Sequence, residues 1–265
     1  LFQTFGEDGS LQLDCDFATY FLRLKGTAYT ATRTFGNTNP SGLTITIPAG
    51  FVLPLVAVQC AAGRVGLFRS YKPGDGTTQY QYVSSAPVGS PVNYWVFDNP
   101  LVLGPAVGGL TLFDESGRVT FSSDYAPMVA VDVLTAGGVS GDFYDRAWVN
   151  TVGGSTTRPG RSLAFAQSCY GGHRIKGDLL AYGAGGPVLV DEGTSTRYTY
   201  RYNNNGKVYG ASSTGDTVSF GSITFDDVQV LVGNNMTYSQ ALARYNETTD
   251  FMVRGVGLVV DVTYL

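Results

Sequence analysis

The chain has 265 residues, with 17 Lys and Arg against 21 Asp and Glu and a formal net charge of −4. Charged residues make up 14% and hydrophobic residues 43%, where an average soluble chain is about 25% charged. The acidic balance argues against nucleic-acid binding, and the apolar content argues against disorder. No apolar run reaches the roughly 20 residues of a membrane helix, so no membrane insertion is expected.

Thirty-five Gly, 17 Tyr and 15 Phe set a turn-rich β composition from the start. Phe5-Gly6-Glu7-Asp8-Gly9-Ser10-Leu11-Gln12-Leu13-Asp14-Cys15-Asp16-Phe17-Ala18 opens the chain as a hairpin, and no basic region with a following apolar run marks a signal peptide. Leu43 to Ile47 alternates with period two and stops at Pro48. Phe51 to Cys60 is rich in Val and Leu, and Pro54 places it at a sheet edge or delays its start. Gly66–Tyr71 and Tyr80–Ser84 flank Pro73-Gly74-Asp75-Gly76, which predicts a second hairpin. Tyr94-Trp95-Val96-Phe97 reads as a strand covered on both faces, ended by Asn99-Pro100.

The opening block then returns as Phe113-Asp114-Glu115-Ser116-Gly117-Arg118-Val119-Thr120-Phe121-Ser122-Ser123-Asp124-Tyr125-Ala126, at a constant offset of 108 (117 − 9). An offset that long implies duplicated domains rather than solenoid repeats. The charge-poor stretch Leu101–Gly109 supplies the boundary. The expected architecture is all-β, with two jelly-roll-like β-sandwich domains, 1–107 and 108–265, each opening with a similar hairpin. The second carries long Gly-rich loops across 135–160. Further strands are predicted at Val129–Leu134, 178–190, Val228–Val232 and Gly257–Val262. Tyr198–Tyr202 and Lys207–Tyr209 are expected to form a hairpin around Asn203-Asn204-Asn205-Gly206, since Asn-Gly suits a type I′ turn. One short helix is expected within Asn235–Tyr245.

Residues for chemistry are sparse. His173 is the single histidine and stands near Ser168 and Cys169, without a nucleophile elbow or other catalytic signature. One histidine with Cys15, Cys60 and Cys169 makes no standard zinc set, and the three thiols are expected to be small buried side chains. Asp142, Asp145, Asp226 and Asp227 read as ordinary loop and strand-end acids. The chain is therefore expected to be no enzyme, with no cofactor and no metal. The candidate recognition residues are Tyr144, Asp145, Arg146 and Trp148 in Phe143-Tyr144-Asp145-Arg146-Ala147-Trp148, near Arg158 and Arg161 in the sequence. Aromatics with Asp and Arg on loops suit a sugar or a protein surface, and the competing reading is that Phe143 and Trp148 cap the core.

Three stretches carry a family resemblance: Tyr94-Trp95-Val96-Phe97-Asp98, the run Gly109–Asp124, and Val131-Asp132-Val133, with Phe51–Val58 as a preceding strand. Together they resemble tail-associated virion proteins of long-tailed, non-contractile bacteriophages (siphophages), over most of 1–135. The resemblance implies a structural component of the tail tip, baseplate or fibre-attachment region. Its implied partners are other virion tail proteins and a host surface receptor, with several copies around the tail axis. It implies a place in the virion after synthesis in the host cytoplasm. The alternative is a carbohydrate- or receptor-binding module working through the loops around 140–160.

Overall fold

The computed structural model describes residues 3–5, 11–14, 19–32, 41–99, 107–136, 153–167, 172–183, 186–188, 196–247, 251–253 and 255–265. A short hairpin, β1 (Gln3–Phe5) and β2 (Leu11–Asp14), precedes the strands β3 (Phe21–Tyr29), β4 (Ala31–Thr32), β5 (Ser41–Ile47), β6 (Leu55–Gln59), β7 (Val65–Tyr71), β8 (Thr78–Ser84) and β9 (Pro91–Asp98). A second hairpin, β10 (Thr111–Phe113) and β11 (Val119–Ser122), is followed by β12 (Val129–Ala136), β13 (Ser155–Thr157), β14 (Leu163–Ala166), β15 (Gly172–Gly183) and β16 (Gly186–Val188). The chain ends with β17 (Tyr198–Ser213), β18 (Thr217–Met236), α1 (Tyr238–Glu247), β19 (Phe251–Val253) and β20 (Gly255–Asp261).

The repeated block forms the same hairpin twice, down to its irregularity. Gln3↔Asp14, Thr4↔Leu13 and Phe5↔Leu11 recur 108 residues later as Thr111↔Ser122, Leu112↔Phe121 and Phe113↔Val119, with the register shift at the same step. In the second copy Asp114 holds the turn together. Its Oδ1 accepts the Ser116 and Arg118 backbone N–H groups, both at 2.9 Å, and Gly117 supplies the positive φ of 77°. Equivalence continues into the next strands. Phe21↔Asp98 in β3·β9 matches Val129↔Asp261 in β12·β20, and both pairs of strands carry a bulge one step later (Leu22/Leu24 and Ala130/Asp132).

Two sheets contain nearly all the strands. One has the order β12-β20-β14-β6-β9-β3, and the other runs β13-β18-β17-β7-β8-β5-β4 with β15, β16 and β19 attached beside β17. Each half of the chain visits the sheets in the same sequence. The first half goes β3, β5, β6, β7, β8, β9, and the second β12, β13, β14, β17, β18, β20, each strand at the matching distance from the middle of its sheet. Duplication is thus visible in the topology. Each half also has its own core: Ile45, Ile47, Val56, Leu67, Tyr82 and Val96 in the first, and Leu163, Phe165, Tyr209, Phe220 and Val259 in the second. Both cores draw on both sheets, so the sheets face each other. The Phe165 and Phe220 rings, 4.6 Å apart, anchor the second core.

The halves are nevertheless not separate sandwiches. Strands from both sides of the 107/108 boundary share both sheets, because β6 pairs with β14 (Ala57↔Ala166, Val58↔Phe165) and β7 with β17 (Val65↔Ala211). Neither sheet closes into a jelly-roll barrel. The six-stranded sheet comes nearest: Phe21 bridges Pro127, and the Met128 N–H donates to the Tyr20 carbonyl at 2.7 Å. That brings the two edges together at one end, around a cluster containing Trp95, Phe97, Ala57, Ala166 and Val260.

Pro54 precedes β6, which starts at Leu55 and lies in the middle of its sheet. The hairpin β7–β8 turns at 72–77 as its Pro-Gly-Asp-Gly predicts, with positive φ at Gly74 and Gly76 and Asp75 Oδ1 accepting from Thr77 N–H at 2.9 Å. Asn203–Gly206, however, forms no turn. These residues lie inside β17, laddered on both sides: Asn204 pairs with Lys176 and Val228, and Gly206 with Arg174 and Asp226. Pairing on two edges outweighs the local Asn-Gly preference. The reversal falls at 214–216 instead, where Gly215 takes φ 74° and the Thr214 N–H donates to the Thr217 carbonyl at 3.0 Å. The helix is α1, begun by a capping box. The Gln240 side chain accepts from the Thr237 N–H at 3.1 Å while Thr237 Oγ1 accepts from the Gln240 N–H at 3.4 Å.

Where β7 meets β17, Gly66 and Gly210 pack backbone to backbone. A Cβ on Gly66 would stand 2.5 Å from the Tyr209 carbonyl oxygen, and one on Gly210 2.6 Å from Gly66 Cα. Gly66→Ala and Gly210→Ala are each expected to destabilise the fold by about 1–3 kcal/mol, read as a lower urea midpoint. Unchanged midpoints in both variants would show that the joint yields freely.

Asp98 predicts a second loss. Its carboxylate is fully buried, takes the backbone N–H groups of Val52 (3.0 Å) and Leu53 (2.8 Å), and pairs with Arg23 at 3.2 Å. Asp98→Ala strands these donors and is expected to cost about 3–5 kcal/mol, with Asp98→Asn costing less. Equal denaturation curves for the two variants would refute the role of the charge.

Candidate interaction site

The candidate residues Tyr144, Asp145, Arg146 and Trp148 lie outside the described residues. So do Cys15, Ser168 and Cys169, together with Asp142. His173 sits in β15, its backbone paired with Lys207 of β17 and Met252 of β19. Asp226 and Asp227 are in β18, opposite Gly206 and Asn205. Cys60 is a buried free thiol in the first core, as its sequence context predicts. Among the described residues, no three His, Cys, Asp or Glu side chains gather where they could hold a metal ion. No helix is long and apolar enough to cross a membrane.

What the structure does place are Arg158 and Arg161. Arg158-Pro159-Gly160-Arg161 is a β-turn, with the Arg161 N–H donating to the Arg158 carbonyl at 3.1 Å and Gly160 at φ 76°. Proline followed by a positive-φ glycine is the pattern of a type II turn. The turn sets both guanidinium groups beside a cavity of about 640 Å³, whose apolar wall comes from Pro127, Val129, Val131 and Leu265. Arg161 pairs with Asp261 at 3.3 Å and lies 6.0 Å from the centre of the Tyr264 ring. Arg158 donates to the Val131 carbonyl at 3.3 Å.

Asp261 itself is fixed by Thr263, whose N–H (3.0 Å) and Oγ1 (2.6 Å) both donate to Oδ1. Through the β3·β9 and β12·β20 registers it corresponds to Asp98. Each acid thus ends the strand beside the central one and pairs with an arginine. Val129 and Tyr264, which line the cavity, are 49% and 87% exposed, and Val133 further along β12 is 55% exposed. β12 ends the six-stranded sheet. Arginine and tyrosine are enriched among the side chains that dominate protein contacts, and the cavity falls in the size range of ligand sites, about 300–1,000 Å³.

This cavity is not legible in the sequence, because its walls come from three separate stretches, 126–131, 158–161 and 261–265. The Pro-Gly between two arginines was the local clue to the turn. Compared with models of protein families, with curated proteins and with solved structures, the chain matches none.

Asp132 lies at the β12 bulge and its carboxyl is held below the ordinary 3.8, first by the Thr156 hydroxyl, then by the Val133 N–H, with Arg158 adding to the effect. This favours the folded state above the ordinary carboxylate range, and the contribution is lost as the pH falls through the depressed folded value. A carboxyl NMR titration is expected to give Asp132 a midpoint below 3.8, moved upward by Thr156→Val. A midpoint at or above 3.8 would remove the Thr156 link between the sheets.

Proposed function

We propose that this chain is a structural subunit of a bacteriophage tail tip, in the baseplate or fibre-attachment region of a long-tailed, non-contractile phage. It holds neighbouring tail proteins together and contributes to host attachment. In this reading it is not an enzyme and needs no cofactor. It stands in several copies around the tail axis of the virion, after synthesis in the host cytoplasm. Each half, 1–107 and 108–265, is a small open β-sandwich fused edge to edge with the other.

The observation that carries the reading is the exposure of apolar side chains: Val129 and Val133 on the sheet's terminal strand, and Tyr264 at the cavity. Exposed apolar area disfavours the isolated chain by about 25 cal/mol per Å² relative to burial. A neighbouring subunit that covers it recovers that energy, and a low overall charge lowers the desolvation cost of doing so. The resemblance over 1–135 supplies the kind of assembly. Arg158 and Arg161, which follow the 140–152 stretch in sequence and line the cavity, favour receptor contact as a second reading.

The test is assembly. An antibody against the chain should label one end of purified tailed particles. Val133→Asp with Tyr264→Asp should cut incorporation at least tenfold while the free subunit keeps its circular dichroism and melting curve. Infectious particles lacking the chain, or normal incorporation of the double variant, would defeat the proposal.

A further inference from the structure

A second cavity, of about 420 Å³, lies at the other half of the molecule, where the β7–β8 hairpin meets the loop before β6. Three tyrosines (Tyr20, Tyr71 and Tyr80) line it with Pro54, Lys72 and Gln167. Each wall is held in place by contacts behind it. The loop carrying Val52 and Leu53 is tied by its backbone N–H groups to the buried Asp98. The Tyr80 hydroxyl donates to the Pro54 carbonyl, and that of Tyr71 to the Gln79 side chain, both at 2.5 Å. Arg69 lies 5.1 Å from the centre of the Tyr71 ring, so the ring is braced as a fixed plane.

Gln167 makes this cavity more than a crevice. It is only 4% exposed, and its Oε1 accepts the Leu67 N–H at 3.1 Å. That bond orients the amide, and Gln167 is one of the residues that line the cavity. Nε2 is buried and has no hydrogen-bond partner among the described residues. A buried amide without a partner costs about 1–3 kcal/mol, and such groups in folded proteins call for a missing partner. A hydroxyl oxygen of a ligand in the cavity would satisfy Nε2.

We infer that this cavity binds a saccharide ring, with Gln167 Nε2 donating to a ring hydroxyl and the tyrosines packing on its C–H face. The chemistry fits that class. A sugar presents alternating hydroxyls and an apolar face, and the cavity offers aromatic planes, the Ser70 and Thr78 hydroxyls and one unsatisfied amide. Among the described residues its one lining charge is Lys72, so acidic sugars are admitted as well as neutral ones. The site lies in the first half and is built without Tyr144 or Trp148. It deepens the host-attachment reading by naming a substrate class, and it does not depend on where the subunit sits in a particle.

A glycan array of neutral and acidic saccharides, probed with the purified full chain, tests the inference, followed by titration of the best glycan. Binding is expected, weakened at least tenfold by Tyr71→Ala. Gln167→Glu, which keeps the acceptor for Leu67 and removes the donor, should weaken it similarly. Tyr71→Ala lies at the rim and should leave the melting curve unchanged, so its result stands if Gln167→Glu folds poorly. No glycan bound, binding untouched by Tyr71→Ala, or binding lost only in Trp148→Ala would each overturn the assignment. Normal incorporation into particles with no glycan binding would sink this inference alone.

Discussion

Everything in this fold rests on a close approach between the two halves. β6 and β14 meet at Ala57 and Ala166, and β7 and β17 meet where Gly66 and Gly210 lie almost in backbone contact. Glycine is needed at the second meeting, because a Cβ on either residue would run into the facing backbone. Two glutamines reinforce the joint reciprocally. Gln59 Nε2 donates across it to the Ser162 hydroxyl and the Leu163 carbonyl, both at 3.0 Å, and Gln167 reaches back to Leu67. They sit 108 residues apart (167 − 59), at the same offset as the hairpins.

The joint also decides where surface is available. Fusing two similar units edge to edge protects their central strands from pairing with other chains. What remains open lies at the periphery: β12, the Arg158–Arg161 turn and the loop before β6. The second half has departed further from the common plan. It extends β17 and β18 beyond the core into an arm joined by β15 and β19, and α1 packs on this arm through Ala241 over Tyr200 and Met236. The first half keeps shorter strands, and the tyrosine cavity lies where its β7–β8 hairpin meets the loop before β6.

How much of this the sequence disclosed depended on the range of the interaction. The hairpins, the Pro-Gly-Asp-Gly turn and the helix were legible because local residues determine them: Gly117, Gly74, Gly76 and the Thr237–Gln240 cap act within a few positions. The Asn203–Gly206 turn was misread for the same reason. Its local preference was clear, but strands far along the chain, β15 and β18, pair with it on both sides. The second case is the joint. Leu55-Val56-Ala57-Val58-Gln59 and Leu163-Ala164-Phe165-Ala166-Gln167 carry a second echo of the 108-residue offset, weaker than the hairpin but written in plain residues. Both cavities were hidden, since each gathers side chains separated by more than 100 positions.

Gln167 shows why joint and site belong together. Its carbonyl oxygen serves the fold, closing the seam through the Leu67 N–H, and so it cannot turn to satisfy its own Nε2. Rotating the amide would trade one unpaired group for another, because the Leu67 N–H would then face a donor. A structural bond thereby fixes the orientation of a binding group. Duplication makes this possible at one place only. Gln59 uses its Nε2 for the seam with both acceptors in the other half, which spends the donor that Gln167 keeps free. Two glutamines at equivalent positions close the joint in opposite senses, and the asymmetry between them leaves a single unsatisfied donor beside a tyrosine-lined cavity.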